Sequence, residues 1–210
     1  MRVALIDHYD SFTFNVLEWL AATGECDVVH VPFDDPEAIA AVVDARLPLV
    51  LSPGPRAPAD VPTTLALAHT QLGRVPILGV CLGHQILGAL AGAQIVPARA
   101  PWHGTTRTIV PSDATSPLAP LGPFRAAIYN SLVLDAATLP APWRVIARCA
   151  EQGDVQAIAR IVPGEAPALG VQFHPESFLS ERKGELARVF LALASSSSSA
   201  GAYASSAAEA

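Results

Sequence analysis

The sequence predicts an α/β fold, a mostly parallel central sheet flanked by helices with a smaller antiparallel sheet. Three observations carry this. Short runs rich in Val, Ile and Leu alternate with helix-period segments through residues 1–91, the pattern of repeated βαβ units around a sheet buried on both faces. Between residues 93 and 171 apolar runs succeed one another without helices, which fits antiparallel pairing. The length of 210 residues and a hydrophobic content of 51% suffice for a sizeable core.

The elements follow in order. Residues 3–6 predict a first strand and 11–22 a helix, with Asp10 and Ser11 reading as its caps. A strand at 28–31, a helix at 36–44, a strand at 49–52 and a helix at 61–72 continue the alternation. The apolar run 75–80 leads straight into a helix at 82–91. The runs 94–96, 107–110, 124–128, 144–147 and 156–162 make the antiparallel part. Residues 168–173 return to the buried-strand type, and 180–194 close as an amphipathic helix. One domain thus spans 1–194; the Ser/Ala-rich tail 195–210 lacks the apolar surface to offset its ordering entropy and is expected to be disordered.

Composition excludes several partners. Thirteen basic against nineteen acidic residues give a net charge of −6, which argues against nucleic acid or an anionic membrane. The start of the chain meets charge at Asp7, too early for a signal peptide, and no later run approaches a membrane span; a cytoplasmic protein is expected. Cys26, Cys81 and Cys149 are far apart, without the spacing of a zinc site or the even count of a disulfide framework. No metal is expected.

Chemistry enters at Cys81. It sits in Gly79-Val80-Cys81-Leu82-Gly83, where a buried strand turns sharply into a helix, and ligands of parallel sheets bind at such strand ends. The turn pushes its residue outward and the flanking glycines make room for it, as in the nucleophile elbow of hydrolases. The helix N-terminus behind it favours a thiolate and can hold an oxyanion. A thiolate needs a base, and His8, His30, His69, His84, His103 and His174 compete. His84 is carried away from the elbow by its helix. His174 ends another buried strand, Pro175 fixes the chain beside it, and Glu176 can accept an imidazole N–H.

Gly-Val-Cys-Leu-Gly-His-Gln at 79–85 and Gly-Val-Gln-Phe-His-Pro-Glu-Ser at 170–177 resemble the signature of class I, triad-type glutamine amidotransferases. The blocks at 5–15, 51–55, 103–106 and 129–134 narrow the resemblance to glutaminase subunits that serve chorismate-using synthases, those of anthranilate and aminodeoxychorismate. The resemblance runs from residue 1 to about 193. It implies the flavodoxin-like architecture of that class and no cofactor. It also implies that Cys81 attacks the side-chain amide of glutamine, His174 moves the proton and Glu176 orients the imidazole. The backbone of Gly54 and Leu82 would form the oxyanion hole; Gln85, Ser131 and Leu132 would hold the amino-acid end of glutamine. Ammonia would pass to a chorismate-binding synthase subunit.

Three positions depart from the family pattern: Arg56 where a small residue usually follows Gly-Pro, Asn130 where histidine commonly precedes Ser-Leu, and Thr105 in place of a lysine. Two other functions fit less well. A partner-binding pseudo-glutaminase would not need Cys81, His174 and Glu176 together, and a stand-alone gamma-glutamyl-type hydrolase would not need the N-terminal block.

Overall fold

The computed structural model describes residues 1–99 and 104–196. Strand β1 (Arg2–Asp7), helix α1 (Thr13–Ala21), β2 (Asp27–Pro32), α2 (Pro36–Asp44), β3 (Leu49–Leu51), α3 (Pro62–Gln71), β4 (Ile77–Val80) and α4 (Leu82–Leu90) follow the predicted alternation. The rest consists of β5 (Ile95–Pro97), β6 (Thr105–Pro111), β7 (Phe124–Ile128), β8 (Leu132–Leu134), β9 (Trp143–Cys149), β10 (Val155–Arg160), β11 (Ala168–Val171) and α5 (Lys183–Ser196). Because α5 reaches Ser196, the helix takes in two residues assigned above to the tail; residues 197–210, and the disorder expected of them, lie outside the described residues.

Local chemistry accounts for the helix starts. Asp35 accepts hydrogen bonds from the backbone of Glu37 and Ala38 at 3.1 and 3.0 Å, and Pro36 occupies the first turn of α2, a well-formed N-cap. The cap expected from Asp10 and Ser11 on α1 is not made. Asp10 accepts the Phe12 N–H at 2.8 Å in a turn ahead of the helix, and α1 starts at Thr13 without a side-chain cap.

One sheet of nine strands organises the molecule, in the order β2-β1-β3-β4-β11-β10-β9-β6-β7. Its strands run parallel from β2 to β11 and antiparallel from β10 onward. The antiparallel run therefore extends the central sheet, because β10 pairs along the edge that β11 would otherwise expose. The small separate sheet is β5 with β8, and β8 is a strand that the sequence pattern did not mark. Strand alternation divides the core between the two faces. Val3 and Leu5 pack with Leu20 of α1 and Phe190 of α5, whereas Ala4 and Ile6 pack toward Val42, Leu67 and Ile86 of α2, α3 and α4. Each fully buried Leu, Ile or Phe contributes about 1.5–3 kcal/mol. Among the described residues no helix is long and apolar enough to cross a membrane.

Candidate active site

Cys81 is the residue between β4 and α4, and its backbone is in a conformation L-residues rarely adopt, φ 51° and ψ −100°. Such strain costs on the order of 1–3 kcal/mol and persists where the surroundings enforce it. Here they do. A side chain at Gly79 would meet the Gly83 carbonyl at 2.4 Å, and one at Gly83 would meet the Leu51 carbonyl oxygen at 2.3 Å. The two glycines thus let the first turn of α4 press against β4 and β3. The Cys81 N–H donates to Val171 at 2.9 Å, tying the elbow to β11.

His174 comes from beyond the end of β11. Its N–H donates to the Ala127 carbonyl at 2.9 Å, and its own carbonyl accepts from the Ser180 hydroxyl at 2.6 Å. The ring packs against both Tyr129 and Phe12, with centroids at 4.9 and 5.4 Å, and those two rings also touch each other at 5.0 Å. Nδ1 is 2.6 Å from Glu176 Oε1, with both side chains almost fully buried. A nitrogen that close to a carboxylate carries the proton and donates, which leaves Nε2 for chemistry. Among the described residues Nε2 makes no hydrogen bond. Burial pulls the imidazole pKa down, but the charges of Cys81 and Glu176 outweigh it and hold His174 well above the usual histidine value. Cys81, His174 and Glu176 are therefore brought together.

A cavity of about 280 Å³ opens at Cys81, lined by Gly54, Arg56, Leu82, Gln85, Tyr129, Asn130, Ser131 and Leu132. All five expected oxyanion-hole and substrate residues are on its wall. Gly54 is tightly held: a side chain there would meet Leu82 Cδ2 at 2.4 Å and His8 Cβ at 2.9 Å. Behind it His8 is buried against Ser52 Oγ at 3.0 Å and Thr64 Oγ1 at 3.1 Å. Burial, aided by the Arg56 charge, lowers its pKa to about 4, so His8 is neutral at pH 7.

The departures take definite places. Arg56 is exposed at the cavity rim, its guanidinium 5.4 Å from the centre of the Phe33 ring. Asn130 is buried and donates to the Leu132 carbonyl at 2.9 Å, pinning the turn that carries Ser131. Thr105 pairs with Ile128 across β6 and β7 and is not on the cavity wall. His103 lies outside the described residues. The other histidines are elsewhere: His30 bonds Asp7 at 2.8 Å, His69 is in the last turn of α3, and His84 is fully buried against Gly170. Burial raises the pKa of both Cys26 and Cys149, which keeps them protonated and inert.

Sequence reasoning passes over two residues of the site. Phe12 packs on the His174 ring, and Gln172 places its side-chain nitrogen 3.6 Å from Cys81 Sγ. A polar residue inside the apolar run that leads to His174 was the available signal for Gln172. Phe12 had none, because its contact spans most of the chain.

The family model described as glutamine amidotransferase class-I matches residues 4–193. Aminodeoxychorismate synthase component 2 of Serratia marcescens is 40% identical over 187 residues, 89% of this chain and 97% of that protein. Anthranilate synthase component 2 of Pseudomonas putida is 37% identical over 195 residues, 91% of this chain and 96% of that protein. Among solved structures, a putative GMP synthase protein from Thermoplasma acidophilum superposes with a TM-score of 0.78 at 21% identity. The match covers 93% of this chain and 94% of that one.

Proposed function

The chain belongs to the class-I glutamine amidotransferase family, and from that premise we propose that it is the glutaminase subunit of a synthase that aminates chorismate, to anthranilate or aminodeoxychorismate. The observation that carries this reading is the strained Cys81 elbow, at the wall of a cavity that also holds Gln85, facing the buried His174–Glu176 pair.

In the proposed reaction the Cys81 thiolate attacks the side-chain amide carbon of glutamine. The carbonyl π-electrons move to oxygen, and the N–H groups of Gly54 and Leu82 stabilise that oxyanion, donors whose loss in comparable sites costs roughly 10²–10³ in rate. His174, protonated before the attack, gives its Nε2 proton to the departing nitrogen as the C–N bond breaks, and ammonia leaves. Water then attacks the glutamyl thioester while His174 takes its proton, and glutamate departs as the thiolate is restored. Glu176 keeps the Nδ1–H in place throughout. Gln85, Ser131 and Leu132 hold the amino-acid end of glutamine; neither metal nor cofactor enters.

The partner would receive ammonia across the surface next to the triad, where Phe178, two residues from Glu176, is 86% exposed. A large exposed aromatic beside a site suits an association surface. The three free thiols suit a reducing cytoplasm.

The test is labelling with a glutamine-mimicking electrophile and an ammonia assay, with and without the synthase partner. Adduct on Cys81 alone, with ammonia released in the complex, is the expected result. Absence of ammonia release in the complex overturns the reading, and full activity without the partner favours a stand-alone hydrolase.

A further inference from the structure

Gln172 has no role in the reaction as derived above, yet it is fully buried at its centre. Its position follows from strand register. β4 and β11 pair in parallel with Gly79 opposite Gly170 and Val80 opposite Val171, so Cys81 and Gln172 are the next residues of the two chains as both strands end. The Gln172 backbone is anchored by its N–H to the Gln156 carbonyl at 2.8 Å. Its side-chain Nε2 donates toward Cys81 Sγ at 3.6 Å, and its Oε1 accepts from Gln85 Nε2 at 3.2 Å. Gln85 Nε2 also reaches the Leu132 carbonyl at 3.4 Å. A chain of donors thus runs from the turn at Leu132 through Gln85 and Gln172 to the sulfur.

The direction of that chain matters. Gln85 presents its N–H₂ end to Gln172, so Gln172 must turn its oxygen to Gln85 and its own N–H₂ to Cys81. An amide donor gains little from a thiol, whose sulfur is a weak acceptor. It gains more from a thiolate, because a hydrogen bond to a charged acceptor is roughly twice as strong as a neutral one. Burial adds to this by removing competing water.

We propose that Gln172 is a positioning residue that holds Cys81 as a thiolate aimed at the cavity, with its own orientation set by Gln85. This rests on the glutaminase reading above and adds to it an amide donor to the sulfur. Among the described residues, the other charged or titratable groups about Cys81 are His174 with Glu176 behind it, Tyr129 and Arg56 on the cavity wall, and His84, whose ring packs on Gly170. None takes the place of an amide donor at the β11 side of the sulfur.

The experiment reads the thiolate directly. Chloroacetamide alkylates the full chain over a range of pH, the sulfur–carbon bond forming as chloride leaves, and peptide mass spectrometry follows Cys81. Gln172→Met removes the donor at similar volume, and Gln172→Glu replaces it with a carboxylate. The expected result is a midpoint raised by about half to one pH unit in the first and further in the second. In complex with the synthase partner, kcat for glutamine should fall about three- to tenfold with KM within about twofold. A loss of packing alone would not move the alkylation midpoint. Gln85→Leu releases Gln172 without replacing it and should raise the midpoint in the same direction. This third variant decides the matter if the first two do not fold. Wild-type midpoints in the folded variants overturn the role of Gln172. Failure of the wild-type complex to release ammonia from glutamine overturns the functional reading instead.

Discussion

His8 and His174 each follow a buried parallel strand at the same end of the sheet, and neither is more than 2% exposed; yet the pKa of one is pushed below the usual histidine value and that of the other is held well above it. Burial penalises the charge of both. His8 is surrounded by hydroxyls, Ser52 and Thr64, with the Arg56 cation nearby, and its pKa falls to about 4. His174 suffers the same burial but faces the Cys81 sulfur and the Glu176 carboxylate, whose charges hold its proton. The comparison teaches that burial sets the cost and the partners decide its sign. The neutral site braces the loop of Gly54; the other, in the proposed reaction, moves a proton.

The largest expected effect removes the sulfur. Cys81→Ser should lower glutamine-dependent synthesis by at least about 10³-fold while synthesis from added ammonium salts continues, because in the proposed complex the partner does the chorismate chemistry. Product formation with each nitrogen source checks it; retained glutaminase activity would show that Cys81 is not the nucleophile.

Next comes the carboxylate. Glu176→Gln makes the surroundings of His174 more like those of His8, so the His174 pKa should fall. Glutaminase kcat should drop roughly 10²–10⁴-fold, by analogy with loss of the orienting carboxylate in a hydrolase triad. Stopped assays across pH, with ring titration by NMR, separate the two effects. An unchanged pKa would mean that the thiolate alone holds the charge.

Stability against acid tests the neutral side. His8 and His84 both titrate near 4 in the folded protein against 6.5 unfolded, so the unfolded chain binds more protons between those values. Their contribution is complete above about pH 6.5 and is lost as pH falls toward 4, on the order of 2–3 kcal/mol for each. His174 has the opposite sign: its contribution is complete below 6.5 and is lost as pH rises through its elevated pKa. Urea midpoints at pH 7 and 4.5 measure the first window, and His8→Gln should shrink the drop between them. An equal drop in the variant would mean that His8 does not set it.

The smallest effect is at Arg56. Its stacking on Phe33 is worth about 0.5–1 kcal/mol at an exposed site, and its charge lowers the His8 pKa. Arg56→Gly should let that pKa rise while changing KM for glutamine by less than about tenfold. A larger rise in KM would make Arg56 a contact of the substrate carboxylate, and weakened, less salt-sensitive partner binding would place it at the interface.

What the sequence determined by itself is whatever is written in neighbouring residues. The βαβ alternation, the elbow between Gly79 and Gly83, and the short step from His174 to Glu176 are local patterns of period, turn chemistry and spacing. Each can be read without knowing where the chain goes next. The glycines were legible as a demand for space, and the structure supplies what fills it, the carbonyls of Gly83 and Leu51. Tertiary structure alone decided the rest. That the antiparallel strands extend the central sheet depends on which edge β11 leaves open. That Gln172 reaches Cys81 depends on the register of β4 against β11, 91 residues apart in sequence. The charge of each buried histidine follows from the same cause. Glu176 is two residues from His174, but Cys81 beside His174, and Ser52 and Arg56 beside His8, arrive from strands and loops far along the chain, and only folding brings them within reach.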